Sequence, residues 1–205
     1  MSDTHESFVK TKFKFVSRLI PENSKVLDIG CNDGKIRFFL KNPVYFAVDA
    51  DKSSILKLSN EKIKAKAVDL NKDKLPFKNE KFDFVLLLDI LEHVANPKKL
   101  LLDAKSKLNP NGKLVISLPN DYHILNKIRF LFNKHLTQDP FAPYGHLHYF
   151  PIKSGEKFLQ KNGFDILEKI YLAPVKPEII PQFVKKILIH LFPQAFVRDV
   201  LYVTN

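Results

Sequence analysis

The segment Lys25–Gly34 constrains the fold of this chain more than any other. Its letters, KVLDIGCNDG, give a short apolar run, an acid and two glycines, Gly30 and Gly34, before a helical pattern begins. Such a run predicts a buried strand, a tight turn and the first turn of a helix. Glycine adopts positive φ and has no side chain, so a ligand can lie against the N–H groups that point outward there. The segment therefore predicts a loop that binds a small molecule carrying a carboxylate or phosphate.

The spacing of the glycines separates the ligand classes that use such loops. A phosphate-binding P-loop has four residues between its glycines, then Lys and Ser or Thr, whereas three residues intervene here and Ile36 follows Lys35. A dinucleotide loop has the pattern G-x-G-x-x-G, but Asn32 and Lys35 stand where its second and third glycines would be. Both phosphate interpretations therefore fail, and the pattern D-x-G-x-x-x-G remains.

Five apolar runs alternate with helical patterns along the chain. They predict strands at 25–29, 44–48, 65–68, 82–88 and 113–118. This alternation predicts an α/β fold with a Rossmann-like, doubly wound and mostly parallel sheet that carries helices on both faces. The ligand of such a sheet binds at the carboxyl ends of the strands. Gly30, Asp49, Asp69 and Asp89 all fall at these ends, so we expect them to meet at one edge of the sheet.

The composition limits the class of protein further. We expect residues 1–205 to form a single domain, because this length buries a core without disulfides or metals. The only cysteine, Cys31, excludes internal disulfides and multi-cysteine zinc sites, which fits a reducing compartment. The N-terminal residues lack the apolar core of a secretory signal, so we expect a cytoplasmic location. The net charge of +11 comes mainly from lysine, which gives little reason to expect specific nucleic-acid binding.

The pattern carried by Asp28, Gly30 and Gly34 resembles motif I of the class I S-adenosylmethionine-dependent methyltransferases. Similar features follow in the pair DL after the third predicted strand and in ILEHV after the fourth, so the resemblance covers about residues 20–172. It implies S-adenosylmethionine as the cofactor and an antiparallel last strand at 198–204. The cofactor-binding residues that we expect are Asp28, Gly30, Cys31, Asn32, Gly34, Asp49, Ala50, Asp69, Leu70 and Asp89.

The acids in this set have separate expected roles. Asp49 lies nineteen residues after Gly30, close to the interval at which an acid after the second strand binds a ribose. Asp51 is an alternative, although the residues that follow it have the pattern of a helix start. The resemblance assigns Asp69 and Leu70 to the adenine amino group and ring face.

Asn32 departs from the family pattern, which often has glycine at this position. Asparagine is the non-glycine residue that most readily adopts left-handed φ. We therefore expect the loop to form, with the Asn32 side chain sharing space with the ligand.

Three further segments surround the predicted sheet. Residues 1–22 predict an amphipathic N-terminal helix. Residues 119–151 are too long to be a simple connection. We interpret them as a cap over the acceptor, which would be a small or lipid-like molecule that is apolar or anionic. The alternative is a helix that covers the edge of the sheet. Residues 173–197 predict an amphipathic insertion, in which 179–192 place lysines beside an apolar face. That face fits either peripheral contact with a membrane or packing against the core.

Three histidines are candidate general bases, because imidazole titrates near neutrality. His93 follows the fourth predicted strand, and His146 and His148 lie in the phrase PYGHLHYF. This phrase, together with Gly163-Phe164, resembles methyltransferases of the methionine-biosynthesis and ubiquinone-biosynthesis O-methyltransferase type. His146 and His148 share one side of an extended strand, but no third ligand is evident, so we expect no metal site.

The sequence therefore predicts a methyltransferase that acts on a small or amphipathic acceptor, with oxygen as the acceptor atom by resemblance. One alternative is a non-catalytic partner subunit that binds S-adenosylmethionine. A nucleic-acid methyltransferase is a further alternative supported by the charge alone, since no Asn/Asp-Pro-Pro-aromatic motif follows the fourth strand.

Overall fold

A computed structural model of the chain describes residues 3–132, 145–173 and 181–205, and of residues 3, 4, 182 and 185 the backbone alone. These residues contain a seven-stranded sheet. Its strands are β1 (Lys25–Ile29), β2 (Val44–Asp49), β3 (Lys64–Ala67), β4 (Phe82–Leu88), β5 (Leu108–Pro119), β6 (Ile166–Leu172) and β7 (Asp199–Thr204). The strand order is β3-β2-β1-β4-β5-β7-β6.

Helices connect the strands of this sheet. They are α1 (Asp3–Leu19), α2 (Lys52–Asn60), α3 (Pro97–Lys105), α4 (Ile124–Leu131), α5 (Ile152–Lys161), α6 (Gln182–Leu191) and α7 (Pro193–Phe196). Two short 3₁₀ helices, Lys35–Phe39 and Leu91–His93, follow β1 and β4. No helix within the described ranges has the length and apolar character needed to cross a bilayer.

The strand directions confirm the predicted Rossmann-like architecture. Strands β1 to β5 pair in parallel, and β7 runs antiparallel to both β5 and β6. The strand order reverses at β1, which lies between β2 and β4. A crevice forms at the carboxyl ends of the strands at such a reversal, and that is where ligands bind.

Both faces of the sheet are covered, which explains why the central strand β4 is apolar at every position except Asp83. In β4, Val85 and Leu87 belong to the core on one face, whereas Phe84 and Leu86 belong to the core on the other. Helices α3 and α5 pack on the first face, and α1 and α2 pack on the second. A strand buried on both sides has no solvent-facing positions to fill with polar residues.

The predicted segments agree with the structure with one main difference. Strand β4 begins and ends at the predicted residues, but β5 begins at Leu108 and not at Lys113. Its register moves from Phe82 opposite Leu108 to Phe84 opposite Lys113, so residues 109–112 bulge out of the strand. Helix α4 lies in the predicted cap, whose residues 133–144 are outside the described ranges, as are residues 174–180 of the later insertion.

Candidate active site

The glycine loop after β1 is held tightly against its neighbours. The backbone N–H groups of Gly30 and Cys31 both donate to the carbonyl of Val48, at 2.8 and 3.1 Å. Gly30 has φ of 77°, and a Cβ added there would lie 2.8 Å from the Ile90 side chain. Asn32 has φ of 49°, which confirms that asparagine adopts the left-handed conformation this turn requires.

The carboxylate of Asp49, at the end of β2, fixes the other side of this loop. Its two oxygens accept the backbone N–H groups of Asn32 at 2.7 Å and of Asp51 at 2.9 Å. An ionised carboxylate has about four acceptor positions, so Asp49 keeps the capacity to accept ligand hydroxyls. Asp51 instead caps α2 by accepting from Ser53 and Ser54, and these hydrogen bonds lower the pKa of Asp51 to about 2.

A cavity of about 710 Å³ opens beside the glycine loop at the carboxyl ends of β1, β2 and β4. Six of the predicted cofactor residues line it: Gly30, Asn32, Asp49, Ala50, Asp69 and Leu70. The rest of the lining is Asp51, Asn71, Ile90, His93, Val94, Gly145 and Leu147. Its walls thus combine backbone, carboxylates and apolar side chains, which is the mixture that a nucleoside requires.

The other predicted cofactor residues lie around this cavity and are not among those that line it. Asp28 is buried and accepts a hydrogen bond from the hydroxyl of Tyr45 at 2.5 Å. Burial, partly offset by that hydrogen bond, raises the pKa of Asp28 to about 7. Burial also raises the pKa of the Cys31 thiol. Gly34, with φ of 64°, begins the first 3₁₀ helix, and Asp89 faces a second cavity.

The second cavity, of about 560 Å³, shares His93 with the first. We call the first the cofactor cavity and the second the acceptor cavity. The residues around the acceptor cavity come from α1, the ends of β4, β5 and β7, and the segment around α4. Its lining is His5, Phe8, Val9, Lys12, Asp89, Glu92, His93, Pro119, Asn120, Asp121, His123, Leu125, Arg129, His146, Arg198 and Asp199.

A buried ion network forms one wall of the acceptor cavity. The Lys12 ammonium contacts the carboxylates of both Asp89 and Asp199, and Ser117 donates to Asp89. Burial acts to lower the pKa of Lys12, but the two carboxylates outweigh it and raise that pKa. Burial raises the pKa of Asp199 to about 6, whereas Lys12 outweighs the effect of burial at Asp89 and keeps the pKa of that carboxyl below its usual value.

A second group of buried polar residues lies where the two cavities meet. Among the residues that the structure describes, neither carboxylate oxygen of Glu92 has a hydrogen-bond partner, although its side chain is completely buried. Burial, followed by the charge of Asp89, raises the pKa of Glu92 well above its usual value. The rings of His93 and His146 stack edge to face with centroids 4.9 Å apart. His146 Nδ1 lies 3.0 Å from the carboxylate of Asp121.

The structure separates the three predicted histidines. His93 lines both cavities, and His146 lines the acceptor cavity. His148 lines neither, and its Nε2 lies 3.0 Å from the carbonyl of Val94. The sequence paired His146 with His148 and showed no third ligand beside them. The structure instead places His146 with Glu92 and His93, and these three residues each offer a ligand atom within 4.8 Å of the others.

The lining of the acceptor cavity also contains basic side chains. Arg198 lies 3.3 Å from the ring of His5, and its guanidinium stacks over Phe8 at 4.2 Å. Burial and then the charge of Arg198 lower the pKa values of His5 and His123. Arg129 also lines the cavity and is exposed. The cavity therefore carries arginines as well as acids.

Sequence reasoning did not single out Lys12, Glu92, Asp121 or Asp199, which the structure places in the lining of the acceptor cavity. A signal for Lys12 does exist, because Phe8, Lys12 and Val16 occupy successive turns of the buried face of α1. A lysine at an apolar position needs a partner. Asp121 and Asp199 have no comparable local signal, since the fold alone brings them to this edge.

These features define a class of protein: an α/β domain with a nucleoside-sized cavity at the strand-order reversal and a charged cavity beside it. A family described as "Methyltransferase domain" matches residues 4–169. The chain therefore belongs to the methyltransferase-domain family and is a class I domain whose cofactor is S-adenosylmethionine.

Three relatives show how far the likeness in sequence extends. An uncharacterized protein of Methanocaldococcus jannaschii is 32% identical, over 62% of this chain and 59% of its own length. A tRNA U34 carboxymethyltransferase of Nautilia profundicola is 32% identical, over 46% of this chain and 34% of its own. A ubiquinone biosynthesis O-methyltransferase of Rickettsia prowazekii is 30% identical, over 55% and 44%. The chain thus spans less than two thirds of each relative's length.

The fold extends over more of the chain than the sequence likeness does. The crystal structure of the PH0226 protein of Pyrococcus horikoshii matches with a TM-score of 0.67, covering 100% of this chain and 92% of that one. The two sequences are 17% identical, so this match supports the architecture alone.

Proposed function

We propose that this protein transfers a methyl group from S-adenosylmethionine to an oxygen of a small acceptor that is anionic or amphipathic. The observation that carries the proposal is the meeting of the cofactor cavity and the acceptor cavity at His93. Methyl transfer requires the donor and the acceptor to occupy adjoining spaces in a fixed orientation. Positioning of this kind supplies about 7–11 kcal/mol of the barrier reduction in well-oriented reactions.

The residues of the cofactor cavity fit the proposed cofactor. Gly30 leaves the backbone open to a ligand, and Asp49 and Asp69 supply carboxylates for the ribose and the adenine amino group. Ile90 and Leu70 supply apolar surface for the ring. When bound, S-adenosylmethionine supplies an electrophilic methyl group, whose bond to sulfur breaks as the bond to the acceptor forms, with the electron pair staying on sulfur.

The charges of the acceptor cavity support an anionic acceptor. Arg129, Arg198 and His123 line this cavity together with the acids that surround Lys12. Among the described residues, neither arginine forms an ion pair with an acid. An acceptor with a carboxylate or phosphate at one end would bind there and direct its other end toward His93.

An adjoining apolar cavity supports an amphipathic acceptor. It measures about 640 Å³ and shares Asp121 with the acceptor cavity. The side chains of Tyr122, Phe130, Leu131 and Tyr149 supply most of its apolar lining. A polar head in the acceptor cavity and an apolar tail in this one would use both spaces.

An oxygen acceptor must lose its hydroxyl proton during the reaction. We propose that His93 and His146 control this proton, because they lie at the junction of the two cavities. His148 is a weaker candidate, because it lines neither cavity and its ring contacts the backbone carbonyl of Val94.

RNA is a second candidate acceptor. The relative named tRNA U34 carboxymethyltransferase and the net charge of +11 favour it. Binding of tRNA that weakens steeply with salt, together with methylation of tRNA, would support this candidate over the small acceptor.

The first test of the proposal is calorimetric titration with S-adenosylmethionine, S-adenosylhomocysteine and NAD. We expect saturable binding of the first two and none of NAD. Methylation is then assayed with hydroxylated aromatic acids, each beside its neutral amide, and the acids should be the better acceptors. Cofactor binding without turnover on any acceptor would support the non-catalytic partner subunit. Absence of cofactor binding would contradict both interpretations.

A matched pair of variants tests the anionic end of the acceptor. Arg129→Gln should raise KM for the acids and leave KM for the amides unchanged, because it removes a charge that lines the acceptor cavity. Arg18→Gln is the control, since Arg18 is exposed on α1 and stacks over Phe15 outside the cavity. Equal effects of the two variants would count against recognition of an anion by Arg129.

A further inference from the structure

We propose that Glu92, His93 and His146 bind a divalent transition-metal ion where the cofactor cavity and the acceptor cavity meet. One ligand atom from each of these residues lies within 4.8 Å of the other two. Binding of the ion depends on these side chains alone and not on the proposed methyl transfer. Its role in the reaction rests on the proposed function.

The first observation is the environment of Glu92. Its side chain is completely buried, and neither oxygen has a hydrogen-bond partner within the described ranges. Buried polar groups without a partner are rare in folded proteins, and each needs an explanation such as a retained proton or a bound ion. Glu92 belongs to the second 3₁₀ helix, Leu91–His93, so its side chain is held on a short rigid element.

The second observation is how the two histidines are oriented. His93 Nδ1 lies 3.2 Å from the carbonyl of Gly145, and His146 Nδ1 lies 3.0 Å from the carboxylate of Asp121. Each contact favours the tautomer with the proton on Nδ1, which makes Nε2 the nitrogen that would bind a metal. Histidines that bind metals almost always donate their other N–H to a carbonyl or a carboxylate in this way.

The third observation is that the backbone fixes the distance between the two ligand-bearing segments. The carbonyl of Glu92 accepts from the N–H groups of Leu147 at 2.8 Å and of His148 at 3.1 Å. These bonds hold His146 against the 3₁₀ helix that carries Glu92 and His93. Residues more than fifty positions apart in the chain are thereby placed around one point.

The ligand set indicates the class of metal. Two imidazoles and one carboxylate suit zinc, manganese, iron(II) and cobalt(II), and three protein ligands leave positions open for a substrate. An ion here would act in place of an imidazole base: it would hold the acceptor hydroxyl and lower its pKa, so that the proton leaves to water. The oxygen lone pair would then form the bond to the methyl carbon, while the electron pair of the broken C–S bond stays on sulfur.

The test is metal binding by untagged protein that has been stripped with chelator. Cobalt(II) is titrated and followed by its visible absorption, zinc and manganese are titrated by calorimetry, and S-adenosylmethionine is absent throughout. We expect one ion to bind per chain. Glu92→Gln and His146→Ala should abolish binding, and Asp121→Asn should weaken it roughly 10- to 100-fold, as loss of an outer partner of a metal-bound histidine does.

His148→Ala is the matched control, because its ring lies on the same segment but contacts the Val94 carbonyl. It should bind the ion like the unaltered protein. Circular dichroism of each variant separates loss of the site from loss of the fold. Glu92→Gln also tests whether Glu92 is simply protonated. An amide has the same shape and charge as a protonated carboxyl, so metal binding that survives Glu92→Gln would show that no carboxylate ligand is needed.

Absence of saturable binding of all three metals, or binding that survives both Glu92→Gln and His146→Ala, would overturn the proposal. Either result leaves the proposed methyl transfer standing, because cofactor binding is measured without metal. Conversely, failure to bind S-adenosylmethionine would contradict the proposed function and leave the metal site intact.

Discussion

Asp28 and Asp49 lie on neighbouring strands, yet their carboxyl groups have opposite environments. Asp28 is buried with Tyr45 as its hydrogen-bond donor, whereas Asp49 accepts two backbone N–H groups and lines the cofactor cavity. The residue type alone therefore does not show which of these two acids contacts the ligand. What decides the role is whether the carboxyl group faces the core or the cavity.

Replacing Asp49 tests its proposed contact with the ribose. Asp49→Asn keeps an acceptor for the loop but removes the charge, so we expect S-adenosylmethionine affinity to fall on the order of 10- to 100-fold. Calorimetry measures the change. Asp33→Asn is the control, because Asp33 is an acid of the same loop that pairs with Lys35 and does not line the cavity. Equal affinity of the Asp49 and Asp33 variants would remove Asp49 from the site.

Replacing Asp28 tests the effect of burial on its pKa. That pKa is about 7 in the folded protein and 3.8 ordinarily. The unfolded chain therefore releases this proton first, and the contribution of Asp28 to stability is lost as the pH rises from about 4 to about 7. Asp28→Asn removes the penalty, so it should raise Tm at pH 8 and change it little at pH 4. An increase in Tm that is the same at both pH values would contradict the assigned pKa.

Helix α1 shows how one element can tie distant parts of the sheet together. Its buried face carries Phe8, Lys12 and Val16, and the ammonium of Lys12 joins the end of β4 to the start of β7. The helix therefore covers the sheet and also forms a wall of the acceptor cavity. An element predicted only as an amphipathic helix contributes to both packing and the site.

Removing the ammonium should destabilise the protein strongly. Lys12→Met leaves Asp89 and Asp199 without their shared cation, and breaking a buried pair in this way costs about 3–5 kcal/mol. Urea unfolding of Lys12→Met beside Lys10→Met measures this cost. Lys10 is the control, because it forms an exposed pair with Glu6 on the same helix, and exposed pairs contribute about 0–1 kcal/mol. Similar free energies of unfolding for the two variants would show that the network is not stabilising.

The elements of the sheet were predictable because their signals are local. Apolar runs marked β1, β2 and β4, and the requirement for positive φ marked Gly30 and Asn32. The bulge in β5 was not predictable, since residues 109–112 have the composition of an ordinary turn. The pairing of His146 with Asp121 also depends on how the segments fold over the sheet. Local patterns thus identified the cofactor side, whereas the acceptor side arises from contacts between distant segments.

At the scale of the whole molecule, two amphipathic helices emerge at the edge of the sheet that carries the cavities. Helix α4 follows β5, and α6 precedes β7, where Pro119 and Asp199 are paired neighbours. Phe130 and Leu131 on α4 are 71% and 79% exposed. On α6, Phe183 and Leu191 are also exposed, and the net charge of the chain is +11. This combination favours contact with an anionic membrane surface.

Vesicle flotation tests this contact. We expect the protein to float with vesicles that contain phosphatidylglycerol and to remain behind with phosphatidylcholine alone, and binding should weaken as salt is raised. Replacing both Phe183 and Leu191 with serine should reduce flotation. Phe38→Ser is the control, because Phe38 is 73% exposed on the 3₁₀ helix after the glycine loop. Equal flotation of the two variant proteins would contradict a membrane role for α6.

The position of β7 also sets the order in which the molecule can assemble. Pro119 pairs with Asp199, eighty positions further along the chain, whereas β1 pairs with β2 at much shorter separations. Distant pairings form late, because the intervening chain must first be confined. The cofactor cavity needs β1, β2 and β4 together with Gly145 and Leu147, whereas the acceptor cavity also needs Asp199 and the docked Lys12. We therefore expect the wall of the acceptor cavity that contains Asp199 to form after the glycine loop and Asp49 have come together.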